Sequence, residues 1–172
     1  MRAWIGIGSN RGDRIAACAG GAEGLDAIPG TRVTKLSRFY LTEPVGMPPC
    51  EWFVNAVAEC ETDLEPGALL KELLVIEQRF GRTREEAPAP RTLDLDLLDA
   101  GGETREDGAL TLPHPRLHGR RFALVPLFEI APDWRHPVLG RSAEELLAAL
   151  DDGARVICLA RLARADRREA VG

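Results

Sequence analysis

The first apolar cluster, Ala3-Trp4-Ile5-Gly6-Ile7-Gly8, is short and unbroken, which is the pattern of a buried strand. Asp13 can then cap a helix over 14–27, and Pro29-Gly30 ends it. Partial alternation of Val33, Leu36 and Phe39 predicts one strand over 31–40. Four prolines and glycines make 42–51 a loop. The 52–62 stretch alternates again, with Phe53, Asn55, Val57 and Glu59 on one face and Val54, Ala56 and Ala58 on the other. Pro66 opens and Gly81 closes a helix whose apolar stripe is Leu69, Leu73, Ile76 and Phe80.

Beyond a charged loop with two prolines (82–90), a strand is expected over 92–98 and a short one near 110–112. A helix over 122–130, with Pro126 in its first turn, and a second over 143–150, opened by a Ser142–Glu145 capping box, follow. A last strand is placed at 156–159. The irregular alternation of strands and helices favours an α+β fold with a mostly antiparallel central sheet. One domain over 1–160 and a polar, frayed tail over 161–172 complete the expected organisation.

The period-two pattern changes meaning at Arg91-Thr92-Leu93-Asp94-Leu95-Asp96-Leu97. Three leucines bury one face of that strand, and two carboxylates project side by side from the other, about 7 Å apart at the backbone. Like charges so placed repel unless a cation lies between them. Hard oxygen donors suit Mg²⁺, which takes one or two carboxylates and completes its shell with substrate phosphates. A solvated acidic face is the alternative. Arg79, Arg82, Arg84 and Arg91 precede the acidic strand, and Arg116, Arg120 and Arg121 follow Pro113-His114-Pro115. Carboxylates for metal and arginines for phosphate are the parts phosphoryl transfer requires; surface ion pairs with Glu85 and Glu86 are the plainer reading of the arginines.

Other features narrow the chemistry. The chain of 172 residues carries a formal charge of −5, against the basic footprint of a general nucleic-acid binder. Among the 22 basic residues only Lys35 and Lys71 are lysine, and arginine is the better bidentate phosphate ligand. Cys18, Cys50, Cys60 and Cys158 form no CxxC motif, and neither a signal peptide nor an 18-residue apolar run is present. The expectation is a cytoplasmic monomer with reduced thiols and no membrane contact. Gly6-Ile-Gly8-Ser-Asn-Arg-Gly12 misses the dinucleotide fingerprint by one residue and reads as a tight turn with close backbone approach. No GxxxxGK[ST] loop is present. Glu77 sits at the edge of its helix's apolar stripe, where a snorkelling surface carboxylate is the ordinary expectation. Phe53, Asn55 and Phe122 could form a flat slot with one amide for a heteroaromatic ring. His118 and His136 read as structural.

Taken in order, Gly8-Ser9-Asn10, Phe39-Tyr40-Leu41-Thr42-Glu43-Pro44-Val45-Gly46, Phe53-Val54-Asn55-Ala56, Ile76-Glu77, Gly81-Arg82-Thr83-Arg84, Pro90 to Asp96, Pro113-His114-Pro115-Arg116 and Pro126-Leu127-Phe128-Glu129 resemble the 6-hydroxymethyl-7,8-dihydropterin pyrophosphokinase family over about residues 3–150. The resemblance implies a ferredoxin-like α+β fold. It implies transfer of pyrophosphate from ATP to 6-hydroxymethyl-7,8-dihydropterin in folate biosynthesis. It assigns two Mg²⁺ to Asp94 and Asp96, and charge neutralisation to Arg82 and Arg91 of a catalytic loop. Glu77, Arg84, Leu97, Thr111, His114 and Arg120 fall at ATP-binding positions. Gly8, Thr42, Val45, Phe53, Asn55 and Phe122 fall at pterin-binding ones. Departures are a catalytic loop one residue shorter, with Pro88 and Ala89 in place of a tryptophan. Leu74 and Ala109 replace polar contacts, Pro115 stands in place of an aromatic, and Glu43 in place of a proline. Two rival activities use the same parts: a two-metal phosphohydrolase or nucleotidyltransferase on the aspartate pair, and a ligand sensor without turnover.

Overall fold

The structure is a computed structural model, and it describes residues 1–46, 50–81, 91–108 and 110–160. The elements in chain order are β1 (Arg2–Ser9), α1 (Arg14–Asp26), β2 (Thr31–Leu36), β3 (Phe39–Thr42), β4 (Phe53–Thr62), α2 (Pro66–Arg79), β5 (Asp94–Ala100), β6 (Arg105–Asp107), β7 (Leu110–Leu112), α3 (Arg121–Ile130), α4 (Ala143–Ala148) and β8 (Val156–Ala160). A single 3-10 turn, Leu117–Gly119, precedes α3. The main sheet runs β5-β1-β4-β3-β8, with β2 also on β4, and every pairing is antiparallel. The α+β class with a mostly antiparallel sheet is therefore as the pattern predicts.

Each face of the sheet carries its own core. Ile5, Ile7, Val54, Ala56, Ala58, Leu93, Leu95 and Leu97 meet α1 and α2 on one side. Trp4, Val57 and Leu98 meet Leu117, Leu124, Leu127, Trp134 and Leu146 on the other. Helix α1 sits tightly on the first core: a Cβ on Gly21 would lie 2.9 Å from Leu93 Cδ1. Asp13 caps α1 by accepting from Ala16 N–H at 3.0 Å, and the Ser142–Glu145 capping box of α4 is present, both as read from the sequence.

The strand expected over 31–40 is two strands. At the break Ser37 donates its N–H to Val57 O at 2.9 Å, while its Oγ accepts from Val57 N–H at 2.9 Å. A hydroxyl standing in for a ladder carbonyl turns the chain, so β2 and β3 lie on successive parts of β4. Helix α3 begins at Arg121, which puts Pro126 in the helix interior rather than in the first turn. Its missing N–H is tolerated because Ala123, Leu124, Leu127 and Ile130 are buried on both sides of it. Strand β6 (Arg-Glu-Asp) has no apolar pattern and forms only as the partner of β7. In β5 the register slips opposite Trp4 and Ile5, so Leu98 is an inserted residue. This bulge turns Asp99 toward the second core, where it accepts Trp134 Nε1–H at 2.7 Å. Burial raises the pKa of Asp99, and its hydrogen bonds from Trp134 and from the N–H groups of Gly102 and Ala100 oppose that rise. No helix among the described residues is long and apolar enough to cross a membrane.

Candidate active site

Strand β5 lies at the edge of the sheet, and its alternation does what the sequence pattern required. Leu95 and Leu97 are buried in the first core, while Asp94 and Asp96 open into a cavity of about 610 Å³ on the opposite face. Each acid meets an arginine. Arg91 Nη1 lies 2.7 Å from Asp94 Oδ1, and Arg120 Nη1 lies 2.7 Å from Asp96 Oδ2. These pairs are the cations that two adjacent carboxylates need. They are partly exposed, so each stabilises the fold only modestly, by about 1 kcal/mol or less.

Arg91 is fixed through its main chain. Asn10, buried just after β1, accepts Arg91 N–H on Oδ1 at 2.7 Å and donates its own N–H to Arg91 O at 3.1 Å. This positioning role of Asn10 is absent from the sequence reading, although the residue stands in the Gly8-Ser9-Asn10 turn.

The same cavity is lined by Gly8, Thr42, Val45, Phe53, Asn55 and Phe122. Asn55 donates from Nδ2 to Thr42 Oγ1 at 2.6 Å, which fixes the amide plane. A Cβ on Gly8 would lie 2.8 Å from Asn55 Oδ1, so only glycine leaves that amide in place. The Arg120 guanidinium stands 5.4 Å from the centre of the Phe122 ring and thereby joins the charged half of the cavity to the ring-lined half. Arg121, Asp152, Ala154 and Val156 also line the cavity. The sequence reading counts Arg121 among the arginines for phosphate and gives Asp152, Ala154 and Val156 no role.

The remaining candidates lie apart. Thr111 and His114 line an adjacent cavity of about 450 Å³, which shares His118 with the first. His114 Nδ1 accepts Arg116 N–H at 3.1 Å, so a neutral ring carries its proton on Nε2. Burial lowers the pKa of His114, with Asp96 acting in the opposite direction. Leu97 has its side chain in the first core, leaving only its main chain to meet a ligand. Glu77 is not a snorkelling surface residue. It is fully buried, and its Oε1 accepts the N–H of Leu95 at 2.7 Å. An edge strand has N–H groups facing away from its neighbour, and Glu77 satisfies the one between the two aspartates. Arg82 and Arg84, with Pro88, Ala89, Ala109 and the 161–172 tail, lie outside the described residues.

Among the described residues no group of three or more His, Cys, Asp and Glu gathers as a closed metal cage. The donor set at Asp94 and Asp96, two hard carboxylates open to a cavity, fits Mg²⁺ sharing its shell with phosphates and water.

The chain is 45% identical over 150 residues to the 2-amino-4-hydroxy-6-hydroxymethyldihydropteridine pyrophosphokinase of Methylorubrum extorquens, covering 87% of this chain and 94% of that one. It is 40% identical over 147 residues to the protein of the same name from Synechocystis, covering 86% of this chain and 75% of the other. A crystal structure of Plasmodium falciparum HPPK-DHPS superposes with a TM-score of 0.64 at 13% identity. That match covers 86% of this chain and 43% of the Plasmodium chain, so this chain spans less than half of the longer protein. The shared fold is ferredoxin-like α+β. The sequence model of the 7,8-dihydro-6-hydroxymethylpterin-pyrophosphokinase family matches residues 4–132, and the chain belongs to that family.

Proposed function

We propose that this protein transfers the β,γ-pyrophosphoryl group of ATP to the hydroxymethyl oxygen of 6-hydroxymethyl-7,8-dihydropterin, giving AMP and the pterin diphosphate. The new bond joins that oxygen to the β-phosphorus. The bond from the β-phosphorus to the oxygen bridging to the α-phosphate breaks, and the hydroxyl proton is released. The observation that carries this reading is one cavity in which an acidic pair with its arginines adjoins an aromatic and amide slot.

In this reading Asp94 and Asp96 hold two Mg²⁺. When bound, the ions draw negative charge from the triphosphate and orient it. Arg91 and Arg120 sit where they can exchange their carboxylate partners for phosphate oxygens, and Arg82 is assigned the same work from the family pattern. Arg84, Thr111, His114 and the main chain of Leu97 are assigned to the nucleotide. Glu77 serves it indirectly, by holding β5 through Leu95. Phe53 and Phe122 offer aromatic faces to the pterin, and Asn55 reads its polar edge with Thr42 behind it. Gly8 keeps the approach open, and Val45 covers the rim. Such a reaction asks for positioning and charge neutralisation more than covalent catalysis.

The test is AMP formation from ATP, measured with the dihydropterin and Mg²⁺ present together and with each omitted in turn. AMP is expected only in the complete mixture. Inorganic phosphate in place of AMP would assign the site to a phosphohydrolase, and binding of both ligands without AMP would assign it to a sensor.

A further inference from the structure

The family match ends at residue 132, yet three residues of the cavity wall, Asp152, Ala154 and Val156, come from the chain beyond it. This late segment is tied to both sides of the cavity. On one side Arg121, the first residue of α3 and the neighbour of Phe122, donates from Nε to Asp152 Oδ1 at 2.7 Å and from Nη2 to Leu150 O at 2.8 Å. On the other side Arg155 holds Glu43, the first residue after β3. Glu43 N–H donates to Arg155 O at 3.0 Å, Arg155 N–H donates to Glu43 Oε2 at 3.3 Å, and Arg155 Nε donates to the same oxygen at 3.2 Å. The Arg155 guanidinium also stands 4.6 Å from the centre of the Trp52 ring, just before β4. One side chain therefore joins the end of β3 to the start of β4. Pro44, Val45 and Gly46, which follow Glu43, line the cavity. Hydrogen bonds from Arg155 hold the Glu43 carboxyl below its ordinary pKa, as expected of an acid that stays ionised in this pair.

We propose that the segment Asp152–Val156 is a brace across the ring-lined half of the cavity, and that Arg155 is a positioning residue which holds the Glu43–Gly46 wall ready for the pterin. The proposal rests on the pyrophosphokinase reading for the identity of the ligand. Without the brace the wall must be ordered when the ring binds, and that cost falls on pterin affinity rather than on chemistry. The nucleotide half, with Asp94, Asp96 and Arg120, is left as it was.

The test is steady-state kinetics on the full chain with Arg155→Ala, Arg155→Lys and Asp152→Asn, together with calorimetric titration of 6-hydroxymethyl-7,8-dihydropterin and a melting curve for each. Arg155→Ala is expected to raise KM and Kd for the dihydropterin about fivefold, the scale of one exposed ion pair plus one cation–π contact. The turnover number and KM for ATP should stay within about twofold. Arg155→Lys, which keeps the charge, should recover part of the loss, and Asp152→Asn should fall in the same direction as Arg155→Ala. Unchanged dihydropterin affinity in Arg155→Ala would overturn the brace. So would equal losses for both substrates with a lowered melting temperature, which mark a merely structural contact. If wild-type protein forms no AMP, the pyrophosphokinase reading fails instead, while the titration still decides the brace.

Discussion

The two halves of the cavity are built in different ways. The charged half is compact in sequence: Arg91, Asp94 and Asp96 fall within six residues, and Arg120, the partner of Asp96, comes from just before α3. The ring-lined half draws Gly8 from β1, Thr42 from β3, Phe53 and Asn55 from β4 and Phe122 from α3. Charge acts over distance and tolerates solvent, so one strand with flanking arginines can supply it. A flat ring is recognised by contact and by one or two directed hydrogen bonds. Its site must be assembled from several elements held rigid by the sheet ladder. In the charged half each aspartate is already balanced by an arginine, and under the proposed function a phosphate ligand displaces those pairs. In the ring half the Asn55 amide is already aligned by Thr42. The first half is built for exchange, the second for fit.

That division can be broken by substitution. The largest effect is expected from Asp96→Ala, which should lower turnover by at least about 10³-fold while dihydropterin affinity stays within about twofold. Steady-state AMP release and calorimetric titration measure the two quantities. Loss of both together would show that the halves are one unit. Arg91→Ala is expected to slow turnover by about 10²-fold with KM for ATP changed only severalfold, and Arg91→Lys should not restore it, because the bidentate fork is lost. Gly8→Ala probes the other half. Its methyl would meet Asn55 Oδ1 at 2.8 Å, so the amide must move, and KM for the dihydropterin should rise about tenfold with KM for ATP unchanged.

The smallest effect lies outside both halves and serves as a control. His136 is buried, and its Nδ1 accepts N–H groups of Val138 and Leu139 at 3.3 and 3.2 Å. Burial and the neighbouring His118 hold its pKa below 6.5, against the pull of Asp99. The unfolded chain therefore takes up this proton first as pH falls, and stability is lost below about pH 6.5 and flat above it. Unfolding free energies from urea titrations at pH 7.5 and 5.5 should differ by less than about 1 kcal/mol through His136, and His136→Gln should shrink the pH difference without abolishing it, because burial lowers the pKa of His114 in the same direction.

The sequence was most legible where chemistry follows a local period. The leucine and aspartate faces of β5, the alternation of β4 and both helix caps are read directly from residue spacing. It was least legible where one side chain replaces a distant backbone group. Ser37 splits a strand by bonding Val57, Glu77 is buried because Leu95 needs an acceptor, and Asn10 fixes Arg91 across 81 positions. None of these pairings has a periodic signature. The role of Arg155 and Asp152 was hidden for a further reason. Their partners Glu43, Trp52 and Arg121 meet them only after β8 has joined β3 at the sheet edge. The overall charge of −5 misleads in the same way, because it averages over arginines that the fold gathers around one acidic strand.

The central claim is that this cavity moves two phosphorus atoms as one group. Phosphorus-31 NMR of a reaction containing ATP, Mg²⁺ and 6-hydroxymethyl-7,8-dihydropterin tests it most directly. The account predicts that the β and γ resonances of ATP disappear together, that a pterin diphosphate pair replaces them in equal amount, and that AMP remains. Appearance of ADP with a single transferred phosphate, or of free phosphate without a pterin diphosphate, would contradict it.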